Sequence, residues 1–141
     1  MKRFVNISFL LLIATLCVFF SACGDADSQK NLWETATYTE DTELGTGAKT
    51  VKLEVKAGEK SVTFTIKTDK EILGEALVDN EIISGEKGAY GLYVKVANGI
   101  TADYDEDKSY WAITQNGESV MTGVDGIKFS DGEHYELVYT R

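Results

Sequence analysis

Proline is absent from this chain, histidine occurs once, and the two cysteines both fall within the first 23 of its 141 residues. Each shortage removes a class of chemistry. Without proline no stretch is stiffened into a polyproline spacer, so any linker here is a flexible one. With no cysteine beyond Cys23, residues 24–141 hold no disulfide, no paired Cys/His metal signature and no thiol nucleophile. His134, at the entry to a strand-like run near the C-terminus, reads as a surface or edge residue rather than a ligand or general base. A Gly-x-Ser-x-Gly elbow and a phosphate-binding glycine loop are also missing. The sequence therefore points away from an enzyme and names no cofactor. Basic residues are scarce, 14 against 23 acidic ones for a net charge of −9, so nucleic acid and anionic lipid head groups are poor partners. Cations and cationic ligands suit this charge.

Only one long apolar run is present. Lys2 and Arg3 precede a nearly unbroken hydrophobic stretch from Phe4 to Phe20, the layout of a secretory signal segment, although a run of that length can also span a bilayer uncleaved. Either way the remainder is expected outside the cytoplasm. Ser21-Ala22-Cys23-Gly24 resembles the lipobox of bacterial lipoproteins, with Phe20 in place of the usual leucine. That resemblance implies a signal peptide over residues 1–22, acylation of Cys23 as the mature N-terminus, and anchoring by more than one lipid chain. Cleavage deepens the net charge by two units, because Lys2 and Arg3 leave and no acid goes with them.

Residues 23–49 are rich in Asp, Glu, Thr, Ser and Gly and read as an acidic, flexible tether, in which Trp33 and Tyr38 stand out as docking points or as the start of order. From Thr50 the pattern becomes strand-like. Val51, Leu53 and Val55 alternate with polar residues, Ala57-Gly58-Glu59-Lys60 turns the chain, and Val62, Phe64 and Ile66 alternate in reply. Thr68 and Glu71 are spaced as a capping box, which predicts a helix over about 69–79 ending near Asn80. Ser84 to Gly88 reads as a loop, 91–96 as a third strand and 105–108 as an acidic loop. Two β-prone runs then flank Asn116-Gly117, whose preference for positive φ predicts a type I′ hairpin with Trp111 and Ile113 on its core face. Tyr135, Leu137 and Tyr139 share a face of the last strand. Strand, strand, helix, then three or more strands is the order of an α+β, β-grasp-like mixed sheet with one principal helix, placed in residues 50–141.

Candidate sites are few. Asp103, Asp105 and Asp107 alternate as the first ligands of a calcium loop do, but Lys108 and Thr114 stand where an EF-hand needs glycine and glutamate. They are metal candidates only as carboxylates, with Asp125 or Asp131 brought near by folding. Among the aromatics, Tyr93 is the first candidate for a ligand-stacking surface, because Leu92 and Val94 would point inward. Tyr110, on the opposite hairpin face from Trp111, and Asn116 at the turn complete that set.

The spacing of Trp111, Asn116-Gly117, Gly123-Val124-Asp125 and Asp131-Gly132, behind the hairpin and helix of residues 50–80, resembles a bacterial domain of unassigned function described as transcobalamin-like, C-terminal. The resemblance covers about residues 33–141. It implies an extracytoplasmic module, often a lipoprotein, related to soluble-ligand binders, with a small molecule and a surface transport protein as partners. Corrinoid binding is implied by the name alone and assigns no residue, since the separate helical domain of transcobalamins has no counterpart here. Thr114-Gln115 also departs from the more apolar residues expected there. Divalent-metal (Ca²⁺) binding, or a structural or adhesive surface role, is the alternative.

Overall fold

A computed structural model describes residues 32–141. The signal segment, Cys23 and the first part of the expected tether lie outside the described residues. Among the described residues no helix is long and apolar enough to cross a membrane.

The domain starts earlier than the composition implied. Trp33 is buried, its indole Nε1 donating to Ala57 O at 2.8 Å. A short strand follows, β1 (Thr42–Gly45), and pairs in parallel with β3 (Lys60–Thr68). Residues 32–49 are thus part of the domain and not of a tether. A large aromatic that can reach the core outweighs a polar average around it.

The two alternating runs form β2 (Lys49–Ala57) and β3 (Lys60–Thr68), antiparallel, with Leu53 opposite Phe64 and Gly58 at φ 62° in the turn. Val51, Leu53, Val55, Phe64 and Ile66 are fully buried, each such side chain contributing about 1.5–3 kcal/mol. Helix α1 (Leu73–Asp79) buries Leu73, Gly74, Ala76 and Leu77. Next come β4 (Ile83–Gly88), β5 (Gly91–Ala97), β6 (Ile100–Thr101), a one-turn helix α2 (Tyr104–Asp107), β7 (Tyr110–Gln115), β8 (Glu118–Ser119), a 3-10 turn at Val124–Gly126 and β9 (His134–Thr140).

The strands divide into two sheets. One has the order β1-β3-β2-β9-β7-β8, the other β4-β5-β6. The last strand runs parallel to β2, setting Tyr135 beside Leu53 and Leu137 beside Val55, and β7 pairs antiparallel on its far side. Trp111, 7% exposed, packs edge-on against Tyr139 with ring centroids 5.5 Å apart. Asn116 and Gly117 take φ 53° and 79°, the positive pair that a type I′ turn requires. The α+β class and one principal helix are as expected, while the division into two sheets is not.

Three local expectations are corrected. The helix begins at Leu73 rather than after Thr68, because residues 71–73 are drawn elsewhere: Ile72 bridges Lys128, Leu73 N donates to Ile127 O, and Glu71 O accepts from Phe129 N. Thr68 Oγ1 accepts only from Lys70 N. At the other end the helix stops at Asn80 as expected, with Asn80 at φ −95°, Glu81 taking the positive φ, and Asn80 Nδ2 donating to Ala76 O at 2.8 Å. Residues 84–88 are strand rather than loop, since antiparallel pairing with β5 satisfies backbone groups that a glycine-rich sequence gave no reason to place in a ladder. The acidic loop is α2, capped by Asp103.

Candidate functional site

Helix α1 does not lie flat on the β4–β5 hairpin. Between them is a cleft of about 380 Å³, whose apolar walls are Val78, Ile83 and Leu92 and whose polar groups include Glu75, Lys87 and Asp125. Its size falls in the range of small-molecule sites. Gly74 makes the cleft floor possible. A Cβ there would run into the Asp125 carboxylate and approach the Val124 backbone carbon to 3.1 Å, so only glycine lets the 3-10 turn come this close to the helix. Asp125 then ties the turn to the hairpin, its Oδ2 accepting from Leu92 N at 3.0 Å. Lys70 pairs with Asp79 at 3.4 Å on the rim, whereas Glu75 and Lys87 make no ion pair among the described residues. The cleft therefore offers an apolar slot with one carboxylate, that of Asp125, fixed in position, an arrangement suited to holding an amphipathic molecule.

A wider hollow of about 620 Å³ lies by the β2–β3 turn, among Glu34, Thr39, Glu59, Lys60 and Ser61 beside Trp33. It is the weaker candidate: Trp33 spends its indole N–H on Ala57, and the side chains around it, Glu34, Thr39, Glu59, Lys60 and Ser61, are polar and exposed.

The expected ligand residues do not meet. Tyr93 is 46% exposed and sits opposite Glu86, on the other face of the hairpin from the cleft-lining Leu92. Tyr110 packs edge-on against Tyr104, centroids 6.4 Å apart. Asn116 lies at the other end of β7, about 20 Å away along a strand of this length. One small ligand cannot touch all three. Sequence reasoning named Asp125 only as a possible metal carboxylate, and did not name Leu92, Val78 and Gly74 as site residues. The available signals were a glycine within the expected helix, a costly choice without a packing reason, and Val78 following the apolar residues of that helix.

The expected metal carboxylates do not converge either. Asp103 Oδ1 accepts from Asp105 N at 3.0 Å and Glu106 N at 3.4 Å as the cap of α2. Asp107 accepts from the Ser109 hydroxyl, from Ser109 N at 3.0 Å and from Arg141 Nη2 at 2.6 Å, and these bonds hold its carboxyl at about 2. Asp131 accepts from Thr50 N at 2.6 Å, and Asp125 is committed to the cleft. Among the described residues no group of three or more His, Cys, Asp or Glu is placed to hold a metal ion. Asp103, Asp107, Asp125 and Asp131 each accept from backbone N–H groups, and Asp107 also from Arg141, so of the candidates only the Asp105 carboxylate has no hydrogen bond or ion pair among the described residues.

On the face of the large sheet away from the core, Glu136 accepts from the Thr114 hydroxyl and pairs with Lys56 at 3.2 Å, which together hold its carboxyl below the usual range. Glu54 lies 3.4 Å from Lys56 and 3.7 Å from His134 Nε2. Tyr135 is pushed up to about 12 by burial and by the hydrogen bond its hydroxyl donates to Glu133 at 2.6 Å.

Fold and cleft together define a small α+β module with a cleft of small-molecule size between its principal helix and a hairpin. Residues 70–140 match the family described as Domain of unknown function (DUF4430), and the chain belongs to that family. Among solved structures it is similar to a proposed metal-binding protein from Ruminococcus gnavus ATCC 29149, at 35% identity and a TM-score of 0.63, over 67% of this chain and 98% of that one. It is also similar to haptocorrin in complex with Cbi, at 18% identity and a TM-score of 0.54, over 70% of this chain and 26% of haptocorrin. The second likeness is one of fold alone. Curated proteins give no match.

Proposed function

We propose that this protein is an extracytoplasmic binding module, anchored through lipid on Cys23, which captures or presents a soluble ligand in the cleft between α1 and the β4–β5 hairpin. The observation that carries the reading is the cleft itself, with apolar walls, Asp125 fixed at its floor and a volume suited to a small molecule. The fold likeness to haptocorrin in complex with Cbi is the ground for placing a corrinoid or another amphipathic nutrient first among candidate ligands; a surface uptake protein is the receiving partner this reading implies. The parallel pairing of β9 with β2 supports the β-grasp-like description. The module is a binder without catalytic residues of its own, and Tyr93 and Tyr110 have no part in the cleft.

A thermal-shift screen of the fragment 32–141 against corrinoids, haem, glycans and divalent cations tests this reading. At a hundredfold excess over Kd a true ligand adds about 2.7 kcal/mol of stability. Val78→Glu, which puts a charge on the apolar wall, is expected to abolish the shift, while Tyr93→Ala leaves it intact. A ligand whose shift survives Val78→Glu and vanishes in Tyr93→Ala would transfer the site to the outer face of the hairpin. Cys23→Ser, followed by cell fractionation, is expected to move the protein from membrane to soluble fractions.

A further inference from the structure

The chain contains two Asn-Gly pairs, Asn98-Gly99 and Asn116-Gly117, and both asparagines hold a positive φ, 49° and 53°. Their surroundings are opposite. Asn98 is 1% exposed, its Nδ2 donates to Tyr38 O at 2.8 Å, its Oδ1 accepts from Tyr38 N at 2.9 Å, and its main chain bonds Ile82 O and Thr37 N. Gly99 is closed over by Thr35 and Thr37. Asn116 and Gly117 are exposed, the Asn116 side chain makes none of the hydrogen bonds found among the described residues, and no atom lies within 4 Å of where a Gly117 side chain would begin.

We infer that Asn116 is a site of spontaneous succinimide chemistry, and that the fold withholds the same chemistry from Asn98. The main-chain nitrogen of Gly117 attacks Asn116 Cγ. A C–N bond forms, the Cγ–Nδ2 bond breaks, and ammonia leaves carrying the proton that the attacking nitrogen gives up. Water then adds to one of the two carbonyls of the five-membered imide and opens it, leaving an aspartyl or an isoaspartyl residue at position 116. No oxidant or reductant enters. Three conditions favour this step at Asn116: a free side-chain amide, a glycine that places no side chain in the way of its own nitrogen, and open access for water. At Asn98 the Cγ cannot swing toward the Gly99 nitrogen until both bonds to Tyr38 are broken, so reaction there waits on local opening. The product adds a negative charge to an already acidic chain. In the isoaspartyl form it also adds a methylene to the backbone between β7 and β8, displacing the pairing of Gln115 with Glu118 that the two-residue turn sets.

The test is incubation of the purified full chain in mildly alkaline buffer, followed by peptide mass spectrometry and enzymatic labelling of isoaspartyl residues. In the native protein, conversion at position 116 is expected to exceed that at 98 by at least about tenfold, with the two rates converging in urea, where local opening no longer discriminates. Gly117→Ala is expected to slow conversion at 116 and leave 98 unchanged. Equal native rates at the two positions, or an inert Asn116 over a period in which the urea-unfolded chain converts, would overturn the inference.

Discussion

Asn98 does with one side chain what a strand does with its backbone. Its amide donates to and accepts from Tyr38, fastening the segment that carries Trp33 and Tyr38 to the far end of β5. Asn98→Ala leaves both Tyr38 groups without partners and puts at φ 49° a residue that tolerates the left-handed region less well than asparagine, so a loss of about 3 kcal/mol is expected in urea denaturation. Asn98→Gly relieves the backbone strain and should lose less. Asp107 shows a different kind of residue-scale coupling. Its carboxyl, ordinarily near 3.8, is held at about 2 by Ser109 and Arg141, so the folded state favours the ionised form. A depressed folded pKa contributes stability that is complete above about pH 4 and is lost as pH falls toward 2. Asp107→Asn is expected to flatten the pH dependence of the urea midpoint across that interval, and added salt to shrink the difference because the group is at the surface. The turn at Asn98-Gly99 was readable from two adjacent residues. Its grip on Tyr38 was not, because the partner lies 60 positions away and nothing local encodes it.

Among the elements, α1 shows where local preference yields to packing. Thr68 and Glu71 have the spacing of a capping box, yet the helix starts at Leu73, since the backbone of residues 71–73 finds partners in residues 127–129 and Glu71 pairs instead with Lys128 at 2.9 Å. Gly74→Ala sharpens the point. On helix propensity alone the change gains about 1 kcal/mol. The new methyl would press on Asp125 and the Val124 backbone, so a net loss of about 1–3 kcal/mol is expected, together with a weakened ligand shift as the floor of the cleft is pushed out. Thermal melts of the variant with and without ligand check both parts. Strands β2 and β3 were legible because their apolar residues alternate onto one buried face, β9 because Tyr135 and Leu137 do the same, and β7 because Trp111 and the Asn116-Gly117 turn mark it. Strand β4 was not: Ser84-Gly85-Glu86-Lys87-Gly88 has neither alternation nor β-branched residues, and becomes a strand only because β5 lies beside it. The cleft inherits that blindness, since one of its walls is β4.

For the molecule as a whole, the order of elements was readable, and the two-sheet partition and the pairing of β1 with β3 were not. Both depend on contacts between distant segments. The boundary at Thr50 was misplaced for the same reason: Trp33 and Tyr38 stood out as docking points, but their partners Ala57, Phe64 and Asn98 lie far along the chain. A fragment 50–141 is therefore expected to melt lower than 32–141 and to bind more of a hydrophobic dye, because it uncovers the core around Ala57 and Phe64 that Trp33 and Tyr38 close. Equal melting of the two fragments would make the early segment ornamental. If Cys23 carries the lipid, the docking of Trp33 also sets a length scale. Nine residue steps from Cys23 to Leu32 reach at most about 30 Å even fully drawn out. The module then works on a short leash, its search confined to a shell about one protein diameter deep over the membrane. Within such a shell a surface partner meets it at a high effective concentration, so a weak mutual affinity suffices for hand-over, and a partner projecting farther from the membrane is out of reach.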